Sequence, residues 1–260
     1  MSFRRLFGMG GRGGDQEPPE IDTQITTLNP MPGRAVEGEV ILKGGGQGLK
    51  IDFLNLDVVA KAYDYDGSVG EDELTNLSTG RYEFTVAPGA EERVPFKGTL
   101  PWECPVTELR GQALGVDMSL TTRLEWESES PVRDVDFLHI AAPPVFEAVL
   151  DVFGEEGYLV EGSRLVDEYI PDVEARRGLH QIFFLGSPAR GADRFGELEV
   201  VFLQNVVGVL VFVRRAARST FSWSEKPPAR SFAVAHHEAG EADLGARVRK
   251  ALEQLALIDG

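Results

Sequence analysis

Val94–Thr107 reads VPFKGTLPWECPVT, an apolar stretch broken by Pro95, Pro101 and Pro105. Proline has no amide hydrogen to give a strand ladder, so its recurrence in an apolar run marks an edge strand or the ends of short strands. The spacing predicts a strand that leaves one sheet of a β-sandwich and crosses to the other. Outward from this stretch the signals stay β. Val36–Leu42 alternates, with Glu37 and Glu39 pointing away from the apolar side chains. Leu49, Ile51 and Phe53 alternate on one face, and Leu56, Val58 and Ala60 then continue out of register. A slip of one residue predicts a β-bulge that bends the strand. Further strands are expected at Leu74–Ala87, Glu92–Leu100, Gly115–Trp126 and Val135–Ile140. With turn signals between them and no helical period from Ile21 to Ile140, this half reads as an antiparallel sandwich.

The period changes at Pro143-Pro144. Val145, Val149, Val152 and Phe153 recur at helical spacing, Phe146 and Leu150 widen the same face, and Gly154 and Gly157 end the run. A helix set between two β-rich halves marks a domain boundary. Beyond it, strands are expected at Tyr158–Tyr169, Leu179–Leu185 and Ser231–His236. A hairpin of Glu197–Leu203 and Val206–Val213 should turn at Gln204-Asn205. Val206–Val213 is apolar on both faces, as suits a central strand covered on each side. Leu244, Val248, Leu252 and Leu255 then follow helical spacing to the end. The fold class expected is mostly β: a flexible tail at 1–20, a β-sandwich at 21–141, a second at 142–238 that includes a helix at 144–154, and a C-terminal helix at 239–260.

The chain has 260 residues, 42% of them hydrophobic, and a net charge of −16. That is enough apolar content to fill cores. Residues 1–140 carry 24 acids and 13 bases, and 141–260 carry 18 and 13, so both halves are acidic. Such a surface repels polyanions and argues against nucleic acid as a partner. The single cysteine, Cys104, precludes an intrachain disulfide and suits a reducing compartment. Arg4, Arg5 and closely spaced glycines interrupt the apolar residues of MSFRRLFGMGG, so it lacks a signal-peptide core, and no stretch approaches ~20 uninterrupted apolar residues. A cytoplasmic protein with no integral membrane segment is expected.

The polar clusters give little chemistry. Asp64, Asp66, Glu71, Asp72 and Glu73 are dense in acid, but Gly67 stands in the wrong place for a calcium loop, and a solvated loop is expected. His236 and His237 are adjacent, hence on opposite faces of a strand, and lack a third ligand at metal spacing. Cys104 reads as a small packed hydrophobe. Gly44–Gly48 follows a strand without the Lys-Ser/Thr of a phosphate loop and reads as a hairpin loop. Thus no catalytic residue, cofactor or metal is assigned. Arg214, Arg215 and Arg218 are the best polar candidates: grouped guanidiniums either bind an acidic partner segment or neutralise acids of their own domain.

Taken in order, these segments resemble the sporulation-control protein M family, a bacterial group with an arrestin-like fold. MSFRRLF is similar to the family's basic start. VEGEVILKGG at Val36–Gly45 and LKIDFLNLDVVAKAYD at Leu49–Asp64 resemble its second and third strands. VPFKGTLPWECPVT resembles its proline signature, and VDFLHIAAPPVFEAVLDVFGEEGY at Val135–Tyr158 its interdomain strand, proline pair and helix. GELEVVF and VFVRRAAR resemble the closing hairpin and its arginines. Residues 8–20, 186–196 and the helix at Glu241–Ile258 have no counterpart in that pattern. The resemblance implies two sandwich domains, no catalysis, a cytosolic location and a regulatory role in sporulation or development. The expected function is a non-enzymatic regulator or scaffold that binds protein partners, with extended peptides adding to sheet edges. A carbohydrate- or ligand-binding sandwich is the alternative, and would show a shallow aromatic platform at Trp102, Trp126 or Trp223. A metal-dependent hydrolase would need a deep polar pocket.

Overall fold

The computed structural model describes residues 18–46, 48–64, 67–127, 130–167, 179–187, 196–216, 228–241 and 243–257. Most of the expected tail, Asp66, Arg218 and Trp223 lie outside them. Among the described residues the chain is mostly β, with two α-helices.

In the N-terminal half, β1 (Glu20–Ile25), β2 (Ala35–Lys43) and β6 (Glu91–Thr99) form an antiparallel sheet in the order β1-β2-β6. A second sheet is built on β3 (Leu49–Asp64), which pairs with β9 (Met118–Trp126), β4 (Val69–Asn76) and β5 (Phe84–Val86), while β10 (Val132–Phe137) forms its edge beside β9. Val40, Val94 and Phe96 of the small sheet share one buried core with Leu56, Val58, Leu120 and Leu124 of the large one. The alternation read from Val36–Leu42 is what delivers these side chains to that core.

Pro95 does lie on an edge strand, β6, opposite Glu39. The chain then reaches β9 through a loop and a two-stranded ribbon of β7 (Glu108–Leu109) and β8 (Gln112–Ala113), not by a direct crossing. The phase change in β3 is a register shift between Ile51 and Phe53. It falls earlier than the apolar pattern suggests: Phe53 is exposed and Leu54 buried, because the extra residue is Asp52. Three other expectations change. Leu74–Ala87 is not one strand but the end of β4, a connection and β5. Gly44–Gly48 joins strands of different sheets and so is no hairpin loop. Glu71, Asp72 and Glu73 sit on β4, paired to β3, not in a loop.

Among the described residues the second half has one sheet where a second sandwich is expected, with β11 (Leu159–Asp167), β12 (Leu179–Gly186), β13 (Glu197–Gln204), β14 (Gly208–Arg215) and β15 (Arg230–Ala235) antiparallel in chain order. It continues the large sheet of the first half through a parallel pairing of Val166 and Asp167 with Tyr63 and Asp64. The β13–β14 turn is centred on Val206-Val207, two residues past the expected Gln204-Asn205. Gln204 pairs with Val209, and Asn205 N–H donates to Gly208 O. Asn205 Oδ1 accepts the Val207 amide at 2.8 Å, the local bond that lets asparagine start a turn.

The helix α1 (Pro144–Glu155) begins with proline at its first turn, where no amide donor is needed. Val145, Phe146, Val149, Leu150 and Phe153 are buried, as their spacing predicts. Phe146 stacks on Phe202 at 4.1 Å and meets the edge of Phe183 at 6.3 Å, which places α1 on the sheet. The C-terminal helix α2 (Leu244–Ala256) buries Leu244, Val248, Leu252 and Leu255 beside α1 and β15. Two helices therefore cover this face of the sheet. Its other face buries Val166, Ile182, Val201 and Phe212. Among the described residues no helix is long and apolar enough to cross a membrane.

Candidate functional site

Neighbouring residues of a strand point to opposite faces, so the sheet separates Arg214 from Arg215. Arg214 is buried. Its Nε donates to Glu199 Oε2 at 2.7 Å, its Nη2 is ion-paired to the same oxygen at 2.6 Å, and Glu199 is itself buried directly opposite on β13. Phe184 flanks Glu199 on β12, and the next cross-strand pairs are Ile182–Val201 and Val201–Phe212. Arg214 thus neutralises an acid of its own sheet, one of the two roles open to it from the sequence. Arg215 is partly exposed.

His236, His237 and Glu238 form a single 3-10 turn after β15. The Arg247 guanidinium and the Ala235 amide hold the Glu238 carboxyl well below the usual range, at about 2. His236 Nε2 lies 2.7 Å from Asn205 O, and its ring stacks on Trp102 at 5.3 Å. Trp102 also covers Gly33, where a Cβ would come within 2.4 Å of the indole. This tryptophan is a packing plate between loops, and Trp126 is buried. Among the described residues no three His, Cys, Asp or Glu side chains are placed to hold a metal ion. Cys104 is buried, and burial pushes its thiol up to about 12, leaving it far from a nucleophilic thiolate. A concavity of about 590 Å³ beside β2 and β6 is shallow, and Glu37 and Lys97 in its wall are ion-paired.

The two halves meet through polar contacts that the sequence did not signal. Gln181 on β12 turns its amide to the backbone of Val106: Nε2 donates to Val106 O at 2.8 Å and Oε1 accepts from Val106 N at 2.8 Å. The side chain thereby pairs like a strand residue with the end of the proline-rich stretch. Its Nε2 also donates to Ser163 Oγ, and the Ser163 amide donates to Leu114 O at 2.9 Å. Within the first half Thr107 Oγ1 accepts the Ile140 amide at 2.8 Å, and across to the second Arg110 is ion-paired to Glu147 and Asp151 of α1. A lone glutamine in an apolar strand has no spacing signature; its polarity inside LHQIFFL was the one available hint.

A further polar cluster lies where β1 meets β10. Asp134 Oδ2 accepts the Thr23 amide at 2.9 Å, and Thr23 Oγ1 lies 2.7 Å from Thr122 Oγ1. Asp136 is pushed up to about 7 by burial, by the Asp134 carboxyl and by Asp22. On the opposite face of β10, Val135 and Phe137 are 62% and 75% exposed.

Residues 3–217 match the family model described as SpoOM protein, Spo0M. Over 229 residues the chain is 26% identical to the sporulation-control protein Spo0M of Bacillus subtilis (strain 168), an alignment covering 86% of this chain and 84% of that protein. Its fold is similar to the crystal structure of Spo0M, sporulation control protein, from Bacillus subtilis. The TM-score is 0.76 at 21% sequence identity, over 92% of this chain and 100% of that one. The family match takes in both β halves up to β14 and stops short of α2. The chain belongs to the SpoOM protein family.

Proposed function

We propose that this protein is a non-enzymatic regulator of sporulation or development that works in the cytoplasm by binding protein partners. Its working body is two arrestin-like domains, a β-sandwich at residues 21–141 and a sheet-and-helix unit at 142–238, followed by a C-terminal helical segment at 239–260. The observation that carries this reading is the coupling of the two halves. The Gln181 side chain on the Val106 backbone, the Ser163–Leu114 backbone bond and the β3–β11 pairing join them, giving partners a fixed surface. The shallow concavity and the unreactive buried thiol add no support for catalysis. At the arginine corner, Arg214 acts from within by fixing Glu199, and Arg215 with Arg218 is the part that would meet an acidic segment. The test is deletion of the gene in the source organism, with counts of heat-resistant spores, alongside crosslinked capture of proteins on the tagged full chain. Unchanged sporulation together with no retained protein would refute the reading.

A further inference from the structure

The phase of the β9–β10 ladder is set by Leu138 N–H, which donates to Met118 O at 3.0 Å. In an antiparallel pair the amide and carbonyl of one residue point to the same side, and the side alternates along the strand. Val132, Asp134 and Asp136 therefore turn their backbone groups toward β9, while Arg133, Val135 and Phe137 turn theirs outward. Among the described residues no other strand pairs with β10. Two other edge strands carry a side-chain contact on their backbone: Arg247 Nη1 donates to Ala233 O on β15 at 2.9 Å, and the Thr23 amide of β1 is held by Asp134. At β10 the outward backbone groups lie beside exposed Val135 and Phe137.

We propose that the outer edge of β10 docks an extended segment of a protein partner in which cationic and apolar side chains alternate. The proposal rests on the protein-binding reading above and deepens it. A strand added at this edge places every second side chain beside Val135 and Phe137, and the others beside Asp134, Asp136 and Asp22. The first set favours apolar residues and the second lysine or arginine. Asp136 has a buried oxygen with no hydrogen-bond partner, so an incoming ammonium or guanidinium would supply the missing donor. A second copy of the chain is the wrong occupant. If β10 pairs antiparallel with itself about Val135, Asp134 of one copy faces Asp136 of the other, and like charges directly opposite are destabilising. Inward-pointing charges are a known guard against such edge-to-edge pairing, and here the same charges select a basic partner.

The test uses the full chain and two labelled decapeptides, acetyl-(Lys-Val)5-amide and acetyl-(Glu-Val)5-amide, in anisotropy titrations near neutral pH. The Lys-Val peptide should bind at least tenfold tighter than the Glu-Val peptide, and more weakly in added salt. Val135→Pro removes an amide donor that lies outside the ladder, and should weaken Lys-Val binding at least tenfold with unchanged circular dichroism. Asp136→Asn should weaken it severalfold and flatten the salt dependence. If Val135→Pro fails to fold, a Lys-Val peptide N-methylated on its pairing amides replaces it, and should lose binding to the native chain. Equal binding of both peptides, no binding of either, or full binding to folded Val135→Pro overturns the proposal. So does a dimer in sedimentation that Val135→Pro abolishes, which would assign the edge to a second copy. Partners captured equally by wild type and Val135→Pro would leave the regulatory reading standing and reject this edge. A Lys-Val peptide bound at β10 with no partner captured would do the reverse.

Discussion

Replacing Arg214 with methionine leaves Glu199 buried without its counter-charge. Both side chains are almost fully shielded, at 4% and 9% exposure, and both guanidinium contacts end on the same carboxylate oxygen. Removing one member of such a pair costs about 3–5 kcal/mol, because the remaining charge keeps its desolvation penalty and loses its compensation. For a chain of this size about 1 kcal/mol moves the melting temperature by roughly 2–4 °C, so the loss should be roughly 6–20 °C. Urea unfolding followed by circular dichroism should show a matching fall in midpoint. The double variant Arg214→Met with Glu199→Leu removes both charges from a row already lined by Phe184, and should recover most of the lost stability. A double-mutant cycle then reports a strong positive coupling. If Arg214→Met alone stays within about 0.5 kcal/mol of wild type, the arginine behaves as a surface charge and the buried-pair argument fails.

Phe146→Ala should cost about 3–5 kcal/mol, since the ring is lost from a three-ring cluster with Phe183 and Phe202; chemical denaturation measures it, and a change below about 1 kcal/mol contradicts the packing. Cys104 should resist a thiol reagent in the folded protein and react stoichiometrically once unfolded, and Cys104→Ala should keep fold and function; rapid native labelling would show the thiol accessible. His180 is held down to about 4, first by burial and then by Arg214. Below about 6.5 the unfolded chain gains a proton that the folded chain refuses, so stability should drop by about 3 kcal/mol as pH falls from about 6.5 to 4. His180→Gln should flatten that profile, and an unaltered slope would assign the acid sensitivity elsewhere.

The parts of this fold legible in the sequence are those written in local periodicity. Alternation marked β2 and β6, a 3.6-residue stripe marked α1 and α2, and a break in alternation marked the β3 bulge. The pattern places the bulge too late because Phe53, an exposed aromatic, looks like a core residue where no solvent information is carried. The pattern shifts the β13–β14 turn for a related reason: Val206 and Val207 are apolar yet stand at its exposed tip. What joins distant segments left no local trace. Neither the Gln181 clamp nor the β3–β11 pairing can be read from spacing, because each depends on a register set far along the chain. Arg214 and Arg215 were visible as a cluster, but only strand geometry shows that one of them is buried against Glu199.

The sharing of β3 between the halves has a consequence for how the chain is made. One edge of β3 is claimed by β9 up to Ala60, and its last residues, Tyr63 and Asp64, wait for Val166 and Asp167, about a hundred residues later. At ribosomal speeds of about 5–20 residues per second that is roughly 5–20 s during which the N-terminal sheet can form while this short edge has no partner. The strands of the second half, by contrast, meet a finished template when β11 emerges. Assembly should therefore be directional: a truncated chain ending after β10 would hold its own core, whereas a fragment beginning at α1 would lack the strand onto which its sheet is continued.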